Sequence, residues 1–549
     1  MRYLICLLAL STTSCAGIRN VPPIAGYNNR VGDRVEVAPE SYVLPNGLLR
    51  KNPQGIWELY VAGDPLERGL ANGVLTEELL HQQEAAFVSQ VRKLVPSRFK
   101  QWLLRGFLKH FNRQLADHVP SAYRAEIYGL SRSASDSFDF IAQPYPRLLY
   151  FHAAHDIGHA LQDLALVGCT SFAAWGNHTA DGKLLIGRNF DFYAGDAFSE
   201  EKIIAFINPD QGYKHAMVTW PGMVGAVSGM NEKGLTVTIN AGKSAIPYMA
   251  KTPIALLMRE ILQHASNLAE AIHIAGQREV FVSESIMVGS AADGKAMLIE
   301  MSPHKMGVYE VPNAAEVLVC ANHFQSEPYR SDKRNLRQLE ESHSKYRFDR
   351  MNELIAHTPK LTPTDAAAML RNKEGVGGAD LGYGNEKAIN QLLAHHAVIF
   401  QPEDRRMWVA AAPYQLGEFV AYDLDEVFAR LAPLDTTVPL AADSLNIPAD
   451  SFALSTEFKH YEEFRTQMRN LEAAIAAEAV VSDAELQAFQ RLNPTFWKTD
   501  FIIGEYYRGE RRYADALRHY RLAATRELTT TADRVLIEKR IRKCERATQ

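Results

Sequence analysis

VGCTSFAAWGNHTADGKLLIGRNFDF, residues 167–192, is the stretch from which the rest of the chain is read. Cys169 stands between a glycine and two hydroxyl residues, at the head of a short alternating strand. A turn signal, ADGK, follows, and a second strand ends in Arg188-Asn189-Phe190-Asp191-Phe192. This pattern predicts a hairpin that brings Arg188 and Asp191 back towards Cys169.

The chain has five cysteines, and the first two lie in a leader-like segment. Arg2 precedes an apolar run from Tyr3 to Leu10, which then turns small and polar. That run is about half of the roughly 20 residues a spanning helix needs, so it reads as a secretion signal. Ser14-Cys15-Ala16-Gly17 resembles a bacterial lipoprotein processing site, although Thr12 stands where such sites carry Leu. Plain signal-peptidase cleavage nearby is the alternative. The expectation is a signal over 1–15, lipidation of Cys15, and export to the bacterial periplasm or outer membrane on a lipid anchor. Cys169, Cys320 and Cys544 then remain, an odd and scattered set that does not make a disulfide framework. A free thiol in an oxidising compartment is a liability unless it has a use.

A thiol nucleophile needs a base. Eighteen histidines are available, and no local pattern marks one of them for Cys169. Cutting the peptide bond before the cysteine solves the problem differently, because the freed α-amine titrates near roughly 7.7–8.0 beside its own side chain. Gly168 suits such a cut, since without a Cβ it lets the thiol approach its carbonyl. Arg188 would then lower the thiol pKa, and Asp191 would accept a hydrogen bond from the new ammonium.

Residues 20–55 read as extended and loop-rich, and 73–168 as mostly helical by three- and four-residue apolar spacing. After Cys169 short strands such as EKIIAFIN, GLTVTIN, AMLIEMSP and HHAVIFQP alternate with turns and two helical stretches, predicting a layered α+β domain over 169–430. A Pro- and Asp-rich linker is expected over 431–453, followed by a helical unit, 454–549. In that unit Ile503-Gly504, Tyr507, Ala516, Tyr520 and Ala523 have the spacing of a single tetratricopeptide repeat; a helical hairpin packed on the body is the simpler reading. Composition is that of a globular protein, 47% apolar with net charge -5, and shows no basic surplus to call for nucleic acid.

Gly-Cys-Thr, then DGKLLIGRNFDF and GMNEKGLTVTIN, resemble the cysteine N-terminal-nucleophile hydrolases, and most closely the penicillin acyltransferase-like family of self-cleaving enzymes. Its pattern extends through GDPLERGLANG, AYRAEIYGLSRSA, CANHF and YRFDR, covering roughly residues 55–425. The resemblance implies a four-layer αββα fold and a pro-segment, 16–168, kept as a bound subunit after cleavage between Gly168 and Cys169. It also implies that Cys169 is nucleophile and amine base, flanked by Arg188 and Asp191. Asn240 corresponds to an oxyanion donor, Asn322 to a second site asparagine, and Arg347 to a site arginine, with Arg350 competing for that place. The long pro-segment is unlike that of bile salt hydrolases and disfavours bile salts as substrate.

The reading is therefore an amidohydrolase or acyltransferase acting on a linear N-acyl amide, with no cofactor or metal. Two rivals are kept. His155 and His159, four apart in HAAHDIGHALQDL, have the spacing of a zinc-protease helix, but Asp156 replaces the glutamate base and no third ligand is evident. A non-enzymatic lipoprotein would use its helical tail to bind partners. Gly-rich GVGGADLGYGNEK, 375–387, lacks the phosphate-loop lysine and reads as a mobile loop rimming the site.

Overall fold

A computed structural model describes residue 18 and residues 21–548, apart from 161–165, 194, 246, 313, 432–433 and 435–437. The leader with Cys15, and the side chains of His155 and His159, lie outside the described residues. The hairpin that follows Cys169 sits in a six-stranded sheet ordered Val317–Cys320, Thr170–Ala174, Leu185–Phe190, His396–Gln401, Arg406–Ala410, Phe419–Asp423. An eleven-stranded sheet lies against it, and its strand order follows the chain, from Val35–Ala38 to Lys305–Tyr309.

Alternation along the strands sorts side chains to two faces. Ala173, Ile186, Val398, Phe400 and Val409 of the smaller sheet meet Ile204, Phe206, Val218, Met287 and Leu298 of the larger one in a dry seam. On the outer face of the smaller sheet, Phe172, Leu185 and Ile399 pack under the helices Ser344–Ala356 and Pro363–Leu370. On the outer face of the larger sheet, Leu59, Ala205, Val237 and Val288 pack under Ile254–His264 and Leu268–Gly276. The layers are helix, sheet, sheet, helix, as the resemblance implies. Fully burying each such Val, Leu, Ile or Phe side chain contributes roughly 1.5–3 kcal/mol.

The stretch read as loop-rich contains paired strands. Val35–Ala38, Ser41–Leu44 and Gly47–Lys51 form a meander, and Trp57–Gly63 runs parallel to Ile203–Pro209 in register. Val35–Ala38 is an exposed edge strand, and the next two are only four and five residues long, so alternation is too short to read there. A parallel neighbour needs a long crossover, which the helical stretch from 65 to 160 begins. Two of the sequence motifs pack on each other there. A Cβ at Gly69 would lie 2.0 Å from the Glu126 carbonyl oxygen, and one at Gly129 would lie 2.7 Å from the Leu70 amide nitrogen. The contact buries Arg68 against Glu126 at 2.8 Å.

Residues 438–453 are not a free linker: Leu440 lies in the inter-sheet core, and Ile447 bridges to Phe419. The tail beyond forms five helices, Thr456–Ala476, Asp483–Leu492, Trp497–Gly509, Tyr513–Ala524 and Thr531–Thr548. They share a core with Leu392 and Leu416 of the main body.

Candidate active site

Thr170 pairs with Asn189 and Ser171 with Arg188, and the Gly168 amide donates to the Asp191 carbonyl at 3.1 Å. The uncut chain thus runs straight through residues 168–169 along the returning strand. Ser171 Oγ donates to Asn240 Oδ1 at 3.2 Å, so this face of the strand looks into the inter-sheet space. Arg188 approaches from the same side, with Nη2 3.9 Å from Cys169 Sγ, 2.5 Å from the Ile239 carbonyl, and Nη1 2.6 Å from Ser228 Oγ. Phe190 lies under its guanidinium at 4.2 Å.

Arg347 comes from the opposite, helical layer. It donates to the Cys169 carbonyl at 2.7 Å, to Thr170 Oγ1 at 2.5 Å and to Asn322 Oδ1 at 2.6 Å. Arg350, three residues on, turns to Glu353 and Glu374 instead, at 2.9 and 3.0 Å. The structure therefore separates the two arginines that the sequence left in competition. Asn240 Nδ2 donates to the Cys320 carbonyl at 3.0 Å and Asn322 Nδ2 to the Ala241 carbonyl at 2.9 Å. All six residues singled out from the sequence, Cys169, Arg188, Asp191, Asn240, Asn322 and Arg347, are buried in one place.

Arg188 pulls the Cys169 thiol down, as the sequence predicts, but burial is the larger effect in the uncut chain. Burial pushes the Cys169 thiol up to about 11, and the opposing pull of Arg188 does not overcome it. In the uncut chain Cys169 is held as a neutral thiol. Burial likewise lifts Asp191 to about 7, against the pull of Arg347 and Arg188, and neither of its carboxylate oxygens has a hydrogen-bond partner. Burial lowers Arg347 to about 10, which leaves it charged at neutral pH.

Two features had no sequence signal. Gln391 Nε2 donates to the Gly168 carbonyl at 2.7 Å across 223 residues. His396 Nε2 lies 2.9 Å from Ser228 Oγ, while its Nδ1 meets His395 Nδ1 at 2.9 Å. Burial holds both histidines well on the neutral side, so neither is a charged partner for the thiol.

Residues 178–413 match the family model of acyl-coenzyme A:6-aminopenicillanic acid acyl-transferase. The segment is acyl-transferase-like. This is the family to which the sequence motifs pointed, and the acyl-transferase-like segment begins after Cys169 and ends before the helical tail. An uncharacterized protein of Archaeoglobus fulgidus is 27% identical over 324 residues, 51% of this chain and 52% of its own length. Protein dcd1B of Dictyostelium discoideum is 22% identical over 271 residues, 46% of this chain and 51% of its own. The chain spans about half the length of the curated relatives it matches. Among solved structures, the Caenorhabditis elegans N-acylethanolamine-hydrolyzing acid amidase ortholog covers 43% of this chain and 93% of itself, at 16% identity and TM-score 0.32. A conjugated bile acid hydrolase from Clostridium perfringens covers 47% and 93%, at 14% identity and TM-score 0.33.

Among the described residues no group of three or more His, Cys, Asp or Glu could hold a metal ion. Cys169, Cys320 and Cys544 are all free and buried. The Gly-rich loop read as a mobile rim packs against the tail only in its second half, where a Cβ at Gly382 would lie 2.4 Å from the Phe496 amide nitrogen; Val376, Gly377 and Gly378 are exposed.

Proposed function

We propose that the chain is an exported, self-cleaving cysteine amidohydrolase or acyltransferase that acts on a linear N-acyl amide. The observation that carries this reading is the pair formed by Cys169 and Asp191. The residue before Cys169, Gly168, donates its amide to the Asp191 backbone, and the buried Asp191 carboxylate has no hydrogen-bond partner while the chain is uncut. A cut between Gly168 and Cys169 would add a new ammonium to this stretch, beside the pull that Arg347 and Arg188 already exert on Asp191. The Cys169 ammonium then pairs with Asp191, whose burial is costly only while it is unpaired.

In the mature site the Cys169 amine takes the thiol proton, and the thiolate attacks the acyl carbonyl. Asn240 Nδ2 gives one hydrogen to Cys320 and keeps a second for the oxyanion. The amine product leaves with the proton returned by the ammonium, and water or another amine takes the acyl group from Cys169. Arg188 holds Ser228 and the Ile239 carbonyl, and Arg347 fixes the backbone on which Cys169 rides. An aromatic cleft lies between the pro-segment and the catalytic layers, and its lining includes none of the six site residues. Phe87 and Phe151 face Phe192, Phe198, Trp220 and Met223, and the Phe190 ring stacks on Phe192 at 5.7 Å. A larger hollow beside Ser244, His304 and Arg334 contains none of the site residues.

Membrane association has its own support besides the leader. The pro-segment helix Arg98–Phe111 exposes Phe99 and Trp102, with relative exposures of 67% and 65%, as well as Phe107. Arg92, Lys93, Arg98, Lys100, Arg105 and Lys109 flank them in the sequence, and no acidic residue occurs between 85 and 116. A basic amphipathic helix with exposed aromatics suits an anionic lipid surface. Among the described residues no helix is long and apolar enough to cross a membrane.

Intact-mass analysis of the purified chain beside Cys169→Ala tests the central reading. Two fragments in the wild type, one starting at Cys169, with an uncut mutant, support it. A single uncut chain in both overturns it.

A further inference from the structure

We propose that Gln391 is the donor that polarises the Gly168 carbonyl during self-cleavage, and that the C-terminal helical unit exists in part to hold it there. The inference rests on the self-cleaving reading above. Attack by Cys169 Sγ forms an S–C bond at the Gly168 carbonyl and drives negative charge onto its oxygen. The C–N bond then breaks, the thiol proton passes to the departing nitrogen, and a thioester remains. Water hydrolyses it to a Gly168 carboxylate and a free thiol. The charge therefore develops on the oxygen that Gln391 Nε2 already contacts at 2.7 Å. The carboxamide is buried, and so close to Gly168 that a Cβ there would lie 2.1 Å from Nε2.

What places this amide is a clamp with two jaws. On the catalytic side Asn189, within the nucleophile hairpin, donates to the Ile389 carbonyl at 3.0 Å, and the Asn390 amide donates to the Asn372 carbonyl at 2.8 Å. On the other side the tail grips residues 382–392. Asn385 Nδ2 donates to the Glu527 carbonyl at 3.0 Å, Lys498 pairs with Glu386 at 2.7 Å, and Lys387 pairs with Glu527 at 2.5 Å. Tyr461 donates its hydroxyl to the Leu392 carbonyl at 3.3 Å, and Leu392 holds φ +54° next to Gln391, with its side chain in the tail's own core. A non-glycine residue at positive φ is held there by its surroundings. The tail thus buttresses a strained turn whose neighbour touches the scissile carbonyl.

The test is a cleavage time course by intact mass on freshly synthesised full-length chains: wild type, Cys169→Ala, Gln391→Ala, Gln391→Glu and Lys498→Met. Gln391→Ala is expected to slow cleavage about 10²–10³-fold, the effect of losing one oxyanion donor. Gln391→Glu keeps the shape but donates only when protonated, so its rate relative to wild type should recover as pH falls from 8 to 5. Lys498→Met should slow cleavage several-fold with the Cys169–Arg347 core still folded by near-UV circular dichroism. A wild type that cuts while Gln391→Ala cuts equally fast overturns the role of Gln391 and leaves the self-cleaving reading standing. If Gln391→Ala fails to fold, a Gln391→Glu rate that tracks wild type at every pH overturns it instead. Lys498→Met cutting at the wild-type rate overturns the buttress. A wild type that never cuts, with Cys169→Ala as reference, removes both readings together.

Discussion

Arg347, on the outer helix Ser344–Ala356, donates to the Cys169 carbonyl oxygen at 2.7 Å. The thiol on the other side is met by Arg188. The backbone and the thiol of Cys169 are therefore held by different arginines from different layers. Replacing Arg347 by Met strands the Cys169 carbonyl, Thr170 and Asn322 without their donor. Each buried orphan costs about 1–3 kcal/mol. Urea unfolding of Cys169→Ala with and without Arg347→Met should differ by on the order of 3 kcal/mol; a difference under a few tenths would show that the site does not depend on this arginine.

Asp191 makes the uncut precursor sensitive to pH. Its folded pKa, about 7, lies above the ordinary 3.8, so the folded form binds the proton more tightly. The contribution is full below pH ~4 and is lost as pH rises to ~7, since the unfolded carboxyl ionises first. Comparing Cys169→Ala with Cys169→Ala/Asp191→Asn isolates the group. The second protein should gain on the first by up to roughly 4 kcal/mol between pH 4 and 8, at about 1.4 kcal/mol per unit. Parallel stability curves across that range would contradict the unpaired carboxylate.

Asn240→Ala tests the oxyanion assignment in the mature enzyme. With an N-acyl amide substrate kcat should fall about 10²–10³-fold, with KM little changed. A KM effect alone would assign Asn240 to substrate binding.

Lipid docking has a direct readout. Sedimentation with vesicles carrying anionic lipid should pull down the chain lacking its leader, and Trp102→Glu/Phe107→Glu should abolish it. Raising salt should weaken it, because the Debye length falls from about 10 Å at 0.1 M to about 3 Å at 1 M. Equal binding to neutral vesicles would argue against the basic surround.

The tail's hairpin relies on Gly504, whose added Cβ would sit 2.7 Å from the Tyr520 ring. Gly504→Ala should lower stability by about 1–3 kcal/mol through overpacking. Thermal unfolding followed at the tail tryptophan Trp497 would show it, and an unchanged midpoint would mean that the ring has room to move.

The hairpin around Cys169 was legible because a two-residue period and a turn signal lie in one continuous stretch of sequence. Arg347 and Arg350 were not separable, since residues three apart on a helix share a face and only packing decides which one points inward. Gln391 carries no local pattern at all. Its partner is 223 residues away, and a turn residue becomes a donor only when two distant segments meet. The pull of Arg188 on the thiol is visible in the sequence, whereas the burial that outweighs it in the uncut chain is a property of the assembled layers.

The parallel pairing of Trp57–Gly63 with Ile203–Pro209 has a further bearing. A cut at residue 168 would leave one continuous hydrogen-bonded sheet shared by two polypeptides, four strands on one and seven on the other. The fragments could not drift apart without tearing the sheet open. Nor, once unfolded, could they regain it by the path that made it. The nascent chain closes this sheet as an intramolecular event, whereas the severed halves would have to find each other by diffusion, at a yield that depends on concentration. Maturation would then work as a ratchet: the architecture is assembled once, while the tether still exists, and afterwards persists by the slowness of its unfolding.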